Sequence, residues 1–296
     1  MSNANKWRVM QAQRIGALYT ANPNVAAVVL GGSAGRGHAD AYSDIELGVF
    51  WLSPPSDAER RTVIEQSGTD LLRSYPFDPL EHVWEDDLSL GRSAPDHANS
   101  GVLMEVIHTT TARVQQTLDA VLLHHDPDEG KQNIIAGVLA GQPLHNEPLL
   151  QHWKAQAASY PTELAEAVVR RHAQIDHFWR WRMWLARGPN LLMLYQSYAQ
   201  VQQKLLHTLL GLNRVYYAGF KWLDVVAAQL HHAPPDLVSR LRAVFQVEPA
   251  EGAGQLKALV EETYDLLEQH MPQLDVERLR RIFRYQRPVW EVPPVE

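Results

Sequence analysis

No cysteine occurs among the 296 residues of the chain. Its absence excludes a disulfide framework, a thiolate metal site and a thiol nucleophile. A basic excess is missing as well: 27 Lys and Arg stand against 34 Asp and Glu, for a formal net charge of -7. A surface that grips polyanions needs clustered Lys and Arg, so nucleic acid is not an expected partner. No apolar run reaches the length of a bilayer span, and the opening Met1 to Trp7 lacks the basic-then-apolar pattern of a secretory signal. These absences predict a soluble, cytoplasmic protein with no membrane partner. Internal repeats and low-complexity segments are lacking too.

What is present is an ordinary globular composition, 45% hydrophobic and 21% charged. A chain of this length exceeds the size at which one core keeps growing, which predicts two packed units. Residues 1–125 alternate strand-like and helix-like stretches. Strands are expected over 25–30, 45–50, 81–84 and 102–108. A helix is expected over 57–73, with Val63, Leu71 and Leu72 on its apolar side, and another after a Thr110 or Thr111 cap, running through 123. Beyond about residue 130 strand signals give way to helical spacing broken at Gly188-Pro189, Gly211-Leu212-Asn213, Pro234-Pro235 and Gly252-Ala253-Gly254. The reading is an α/β domain over 1–125 followed by an all-α helical domain over 126–296.

The informative segment is Leu30-Gly31-Gly32-Ser33-Ala34-Gly35-Arg36-Gly37, with Asp44-Ile45-Glu46-Leu47 shortly after it. A strand that ends in two glycines can turn sharply and approach a ligand closely, and Ser33 adds a hydroxyl beside exposed amides. Such a turn suits phosphate. Along the next strand, side chains alternate, so Asp44, Glu46 and Gly48 share one face while Ile45, Leu47 and Val49 share the other. Two carboxylates held side by side over an apolar anchor need hydrogen bonds, protons or a cation to relieve their repulsion. Oxygen-only ligands favour a hard cation such as magnesium, which completes its shell with water and nucleotide phosphates. A two-metal phosphoryl-transfer site uses a third carboxylate, and Glu105, a charge inside the apolar run 102–107, is the candidate. Asp96 and Asp86 stand behind it. Arg36 can pair with a carboxylate or with a phosphate oxygen.

Glycine-glycine-serine, a gap, then carboxylate-x-carboxylate on a strand resembles the signature of the polymerase-β nucleotidyltransferase superfamily. An amino-terminal catalytic domain with a small mixed sheet, followed by a helical bundle, is similar to the aminoglycoside nucleotidyltransferases. The resemblance implies transfer of a nucleoside monophosphate, with ATP the expected donor, to a hydroxyl of a small molecule such as an antibiotic, with antibiotic resistance as the biological setting. It implies Mg2+ at Asp44, Glu46 and Glu105, with Glu105 also serving as catalytic base. It implies nucleotide contacts from Gly32, Ser33 and Arg36, and a phosphate contact from Lys221, which follows Leu212-Asn213-Arg214 in the helical domain. Gly48 departs from the larger residue common in that strand. Protein adenylylation of the antitoxin type and a catalytically silent binding module are the alternatives.

Other features read more plainly. Adjacent histidines, as at His124-His125 and His231-His232, do not share a helix face and lack a third ligand at metal spacing, so they are expected at the surface or in caps. The run from His177 to Trp184 interleaves aromatics with arginines, and it is expected to pack between helices or line a cleft.

Overall fold

The computed structural model describes residues 2–91, 101–188 and 191–288. Helix α1 (Asn3–Tyr19) leads into β1 (Val25–Leu30), the short turn of helix α2 (Gly32–Gly35) and β2 (Ile45–Trp51). There follow α3 (Asp57–Ser67), β3 (Asp70–Asp78), β4 (Val83–Leu90), β5 (Val102–Thr110), α4 (Thr111–Leu122), α5 (Glu129–Ala140), β6 (Gln142–His145) and α6 (Glu147–Ala157). The strands form one sheet in the order β3-β4-β5-β2-β1-β6. Among the described residues only β2 and β5 pair in parallel; the other neighbours are antiparallel, so the sheet is mixed.

Strand alternation gives the sheet two chemically distinct faces. Ile45, Leu47, Val49 and Trp51 of β2 are buried with Met104 and Val106 of β5 and Leu88 and Leu90 of β4. Ala12, Ile15 and Tyr19 of α1 and Val63 and Ile64 of α3 belong to the same cluster. Helices α4, α5 and α6 pack against one another; α4 also touches β5, and α6 touches β1 and β6. Phe50 and Trp153 meet there with ring centroids 5.1 Å apart. Gly48 belongs to this arrangement, because a Cβ on it would lie 3.2 Å from the Phe50 ring.

Three expectations are corrected. The helix predicted over 57–73 stops at Ser67, because Gly68 takes up a left-handed conformation (φ 65) and closes it. Leu71 and Leu72 therefore lie exposed on edge strand β3 rather than on a helix face. The short strand expected at 81–84 extends instead over Val83–Leu90. A further strand, β6, pairs with β1 through Val28–His145 and Leu30–Gln142, inside the stretch expected to be helical throughout. Thr110 does cap α4, accepting a hydrogen bond from the Arg113 amide at 3.2 Å.

Because β6 completes the sheet, compact packing divides the chain after Ser159 and not at 125: one unit runs to His124 and resumes over Asp128–Ser159. The other takes His125–Pro127 and continues from Tyr160. Its elements are α7 (Thr162–His172), α8 (Trp179–Ala186), α9 (Leu191–Leu212), α10 (Leu223–Ala227), α11 (Leu237–Ala243), α12 (Pro249–His270) and α13 (Val276–Arg284). The helix α9 packs on α7, α8 and α12. Gly211 lets α7 come close, since a Cβ there would fall 2.9 Å from Val168 Cγ1. The aromatic-arginine run splits between two environments. Trp181 is buried against Tyr198 and Phe283, donating its indole N–H to Ser197 Oγ at 2.9 Å. Trp179, Arg182, Met183 and Arg187 line a surface cavity of about 530 Å³. No helix among the described residues is long and apolar enough to cross a membrane.

Asp86, the lesser candidate for a third carboxylate, turns instead into the core. It is fully buried, accepts from Arg60 Nη1 at 2.9 Å and Ser74 Oγ at 2.6 Å, and faces His108 Nε2 at 3.0 Å. Trp51 Nε1 donates to His108 Nδ1 at 3.2 Å, so the histidine carries its proton on Nε2 and donates it to Asp86. Burial opposes ionisation of Asp86, but the hydrogen bonds from His108 and Ser74 and the charge of Arg60 outweigh it and hold its pKa below the ordinary 3.8. Burial likewise holds His108 below its ordinary 6.5, against the pull of Asp86. Both groups bind fewer protons folded than unfolded. Their stabilisation is thus complete above about pH 6.5 and is lost as the pH falls through the folded pKa values. Removing Asp86 leaves Arg60 buried without its main partner, so Asp86→Ala is expected to cost about 3–5 kcal/mol. Urea unfolding at pH 7 checks this, and a loss below about 1 kcal/mol would show the pair to be dispensable.

Candidate active site

The glycine turn and the carboxylate strand are built onto each other. Gly31 donates its amide to the Glu46 carbonyl at 2.8 Å. Gly32, at φ +57, lies directly over the Glu46 side chain, where an added Cβ would stand 2.3 Å from Oε1. At Gly35 an added Cβ would strike the Leu30 carbonyl oxygen at 2.5 Å. Both positions therefore require glycine because of close approach, and Gly32 also because of its backbone angle. The amides of Gly32, Ser33 and Ala34 open a helical turn, where no preceding carbonyl of the same turn can take them. Ser33 is buried, and its Oγ has no hydrogen-bond partner among the described residues.

Asp44 and Glu46 are half-buried on the face opposite the Ile45-Leu47-Val49 anchor. Asp44 Oδ1 is buried and unpartnered among the described residues. The segment that presents it is pinned from α1: buried Arg8 donates from Nε and Nη2 to the Ser43 carbonyl, at 2.9 and 2.6 Å. Ser43 Oγ in turn donates to Asp40 Oδ1 at 2.9 Å, and Asn5 Oδ1 accepts the Ala39 amide at 3.3 Å. Sequence reasoning missed these positioning residues.

Glu105 is the register partner of Glu46 across the parallel pair, and Asp87 of β4 is the register partner of Glu105. A row of carboxylates thus crosses three adjacent strands on one face. Glu105 is pushed up to about 7, first by burial and then by the charges of Asp44, Glu46, Glu85 and Asp87. Burial also raises Glu85, aided by Asp87 and Glu81 and opposed by Arg73. Asp87 was not singled out as a ligand in the sequence. It is 2% exposed, and its Oδ2 accepts from Arg73 Nε at 2.9 Å.

The structure thus brings together Gly32, Ser33, Asp44, Glu46 and Glu105. Arg36 follows the turn, half-buried, with no ion pair among the described residues. Lys221 is exposed in the helical unit, just before α10. Asp96 lies outside the described residues. Carboxylate oxygens only, one of them buried and unsatisfied, form a donor set that suits a hard divalent cation.

A family model described as a domain of unknown function (DUF4037) matches residues 129–223. That span begins at α5, so it includes Lys221 and none of the clustered carboxylates. No curated protein matches the chain. Among solved structures, a nucleotidyltransferase-like protein from Exiguobacterium sibiricum 255-15 is similar at 14% identity, over 90% of this chain and 81% of that one, with a TM-score of 0.39. The structure of Cid1 in complex with its short product ApU is similar at 14% identity, over 47% of this chain and 42% of that one, with a TM-score of 0.27.

The contact between Gly32 and Glu46 can be tested directly. An alanine at φ +57 carries a backbone cost of about 1 kcal/mol, and its Cβ must also displace the Glu46 carboxylate. Gly37→Ala is the control, since Gly37 has φ +78 with nothing within 4 Å of an added Cβ. Gly32→Ala is expected to weaken magnesium-dependent nucleotide binding by about tenfold or more, or 1.4 kcal/mol, with Gly37→Ala near native by calorimetry. Equal losses in the two variants would assign the effect to backbone strain alone.

Proposed function

We propose that this chain is a magnesium-dependent nucleotidyltransferase, moving a nucleoside monophosphate, with ATP the expected donor, onto a hydroxyl of a small-molecule acceptor. The observation that carries the reading is the convergence of Asp44, Glu46 and Glu105 on one sheet face beside the Gly32-Ser33 turn. Asp44 Oδ1 and Ser33 Oγ are both buried without a hydrogen-bond partner among the described residues, the first suited to a cation and the second to a phosphate oxygen.

In this reading Asp44 and Glu46 hold the metal, which supplies Lewis-acid stabilisation of charge on the phosphoryl oxygens. Ser33 and the neighbouring amides hold the triphosphate, and Arg36 screens its charge. Glu105 binds the acceptor hydroxyl and takes its proton. The acceptor oxygen forms a bond to the α-phosphorus while the bond from that phosphorus to the bridging oxygen breaks, and pyrophosphate leaves with the electron pair. Glu105 is suited to the proton transfer, because a base with a pKa near the working pH combines an available ionised form with adequate basicity. Most of the acceleration then comes from positioning and fixed charge.

An aminoglycoside-like compound, bearing both hydroxyl and ammonium groups, is the acceptor class proposed, because the face around Glu105 is acidic. The deciding experiment measures pyrophosphate release from each nucleoside triphosphate with magnesium, with and without a panel of hydroxylated antibiotics. Acceptor-dependent release with a mass gain of one nucleoside monophosphate on the acceptor is the expected result. Label appearing on protein instead would replace the small molecule by a protein hydroxyl. Binding of nucleotide without any transfer would reduce the chain to a silent binding module.

A further inference from the structure

The acidic row does not stop at Glu105. Alternation along β4 puts Glu85 on the same face as Asp87, next to Glu105. Glu85, Asp87 and Glu105 each offer one carboxylate oxygen, and these three atoms lie within 4.8 Å of one another. Oxygens bound to one hard cation at about 2.0–2.6 Å are about 3–5 Å apart, so the three are already at ligand spacing.

A cluster of acids on a surface could simply be solvated, but Asp87 is not on the surface. It is 2% exposed, and while Oδ2 meets Arg73, its Oδ1 is buried with no hydrogen-bond partner among the described residues. An ionised oxygen taken out of water and left unsatisfied is costly, and two facing carboxylates add to that cost. Arg73 is 64% exposed and provides a single, screened positive charge. The spacing of the three oxygens and the unpartnered, buried Asp87 Oδ1 suit a cation between β4 and β5.

We propose that Glu85, Asp87 and Glu105 bind a divalent metal ion at a site separate from Asp44 and Glu46, and that this ion binds without nucleotide. Three carboxylates neutralise a divalent charge and need only water to complete the shell, so no substrate phosphate is required. The site shares Glu105 with the proposed transfer reaction but does not rest on that reaction. Its ion would tie β4 to the strand that bears Glu105.

The test is Mn2+ binding to the full chain without nucleotide, followed by electron paramagnetic resonance of the free ion, with circular dichroism confirming the fold of each variant. The native protein should bind Mn2+, Glu85→Gln and Asp87→Asn should each weaken that binding at least about tenfold, and Asp44→Asn should leave it within about twofold. Glu85→Gln keeps the Arg73–Asp87 pair intact, so it reports on ligation even if Asp87→Asn perturbs folding. Absence of nucleotide-free Mn2+ binding overturns the proposal, as does binding that survives both β4 substitutions or disappears in Asp44→Asn. Native-like Mn2+ binding with the predicted variant pattern in a chain that transfers nothing would support this site while refuting the transferase reading.

Discussion

Replacing Asp44 by Asn together with Glu46 by Gln is expected to reduce nucleotidyl transfer by about a thousandfold or more while the protein stays folded. The two carboxylates are the proposed ligands of a cation whose stabilisation of transition-state charge is worth several kcal/mol, and each 1.36 kcal/mol is a factor of ten in rate. Folding should tolerate the exchange. Both side chains are half-buried beside other acids, so neutral isosteres relieve repulsion, and the Ile45, Leu47 and Val49 anchor is unchanged. Nucleotide affinity should fall in magnesium and change little in EDTA, because the variant loses the metal bridge and keeps the Gly32-Ser33 turn. Turnover, calorimetry with and without metal, and a urea curve test the three parts separately. Transfer that survives the double substitution would move the chemistry away from this face altogether.

The second large effect is expected at Glu105. Glu105→Gln keeps the size of the side chain and removes its basicity, so turnover should fall by about 10²- to 10⁴-fold. Binding of the magnesium nucleotide should persist within several-fold, in contrast to the Asp44 variant. The pH dependence separates a base from a ligand. A raised carboxyl pKa means that the active, ionised form accumulates as pH rises; without metal that midpoint is about 7. A bound cation favours the ionised form and moves the acid limb of the native profile below that value. The variant should have no such limb. Near-native turnover in Glu105→Gln would transfer the base role to Asp87, its register partner, since Asp86 is engaged with Arg60 and His108 in the core.

The parts of this site that the sequence revealed are those governed by local rules. Asp44 and Glu46 alternate with an apolar set, so the period of a strand places them together, and glycines with a serine announce a turn. Glu105 stood out because it interrupts an apolar run. The adjacent acids 85–87 hid their meaning, because three consecutive carboxylates do not by themselves show which face of the chain each one takes. Once β4 is seen to span them, alternation sends Asp86 inward to Arg60 and leaves Glu85 and Asp87 beside Glu105. Arg8 was illegible for another reason. Its partner is the Ser43 carbonyl, far away in sequence, and a backbone acceptor leaves no trace in residue types.

The same contrast holds for the fold. Long, periodic elements such as β1, β2, β5 and α4 were readable from residue pattern. β6 is four residues long, contains Pro143 and owes its strand conformation to β1. β3 carries Pro76 and exposes all nine of its residues, which only an edge position tolerates, so tertiary pairing and not propensity makes it a strand.

The parallel pairing of β2 with β5 has a consequence for how the protein comes into being. Parallel neighbours cannot be joined by a hairpin, so the chain travels through α3, β3 and β4 before it lays β5 beside β2. Closing so long an excursion costs chain entropy before any contact offsets it, which makes this pairing a slow step compared with the nearby β1–β2 hairpin. A chain emerging from the ribosome therefore displays the whole glycine and Asp44-Glu46 motif while Glu105 is still unmade. The row of carboxylates is complete only with the closed sheet, and a truncated product ending in β2 would carry the motif without the centre.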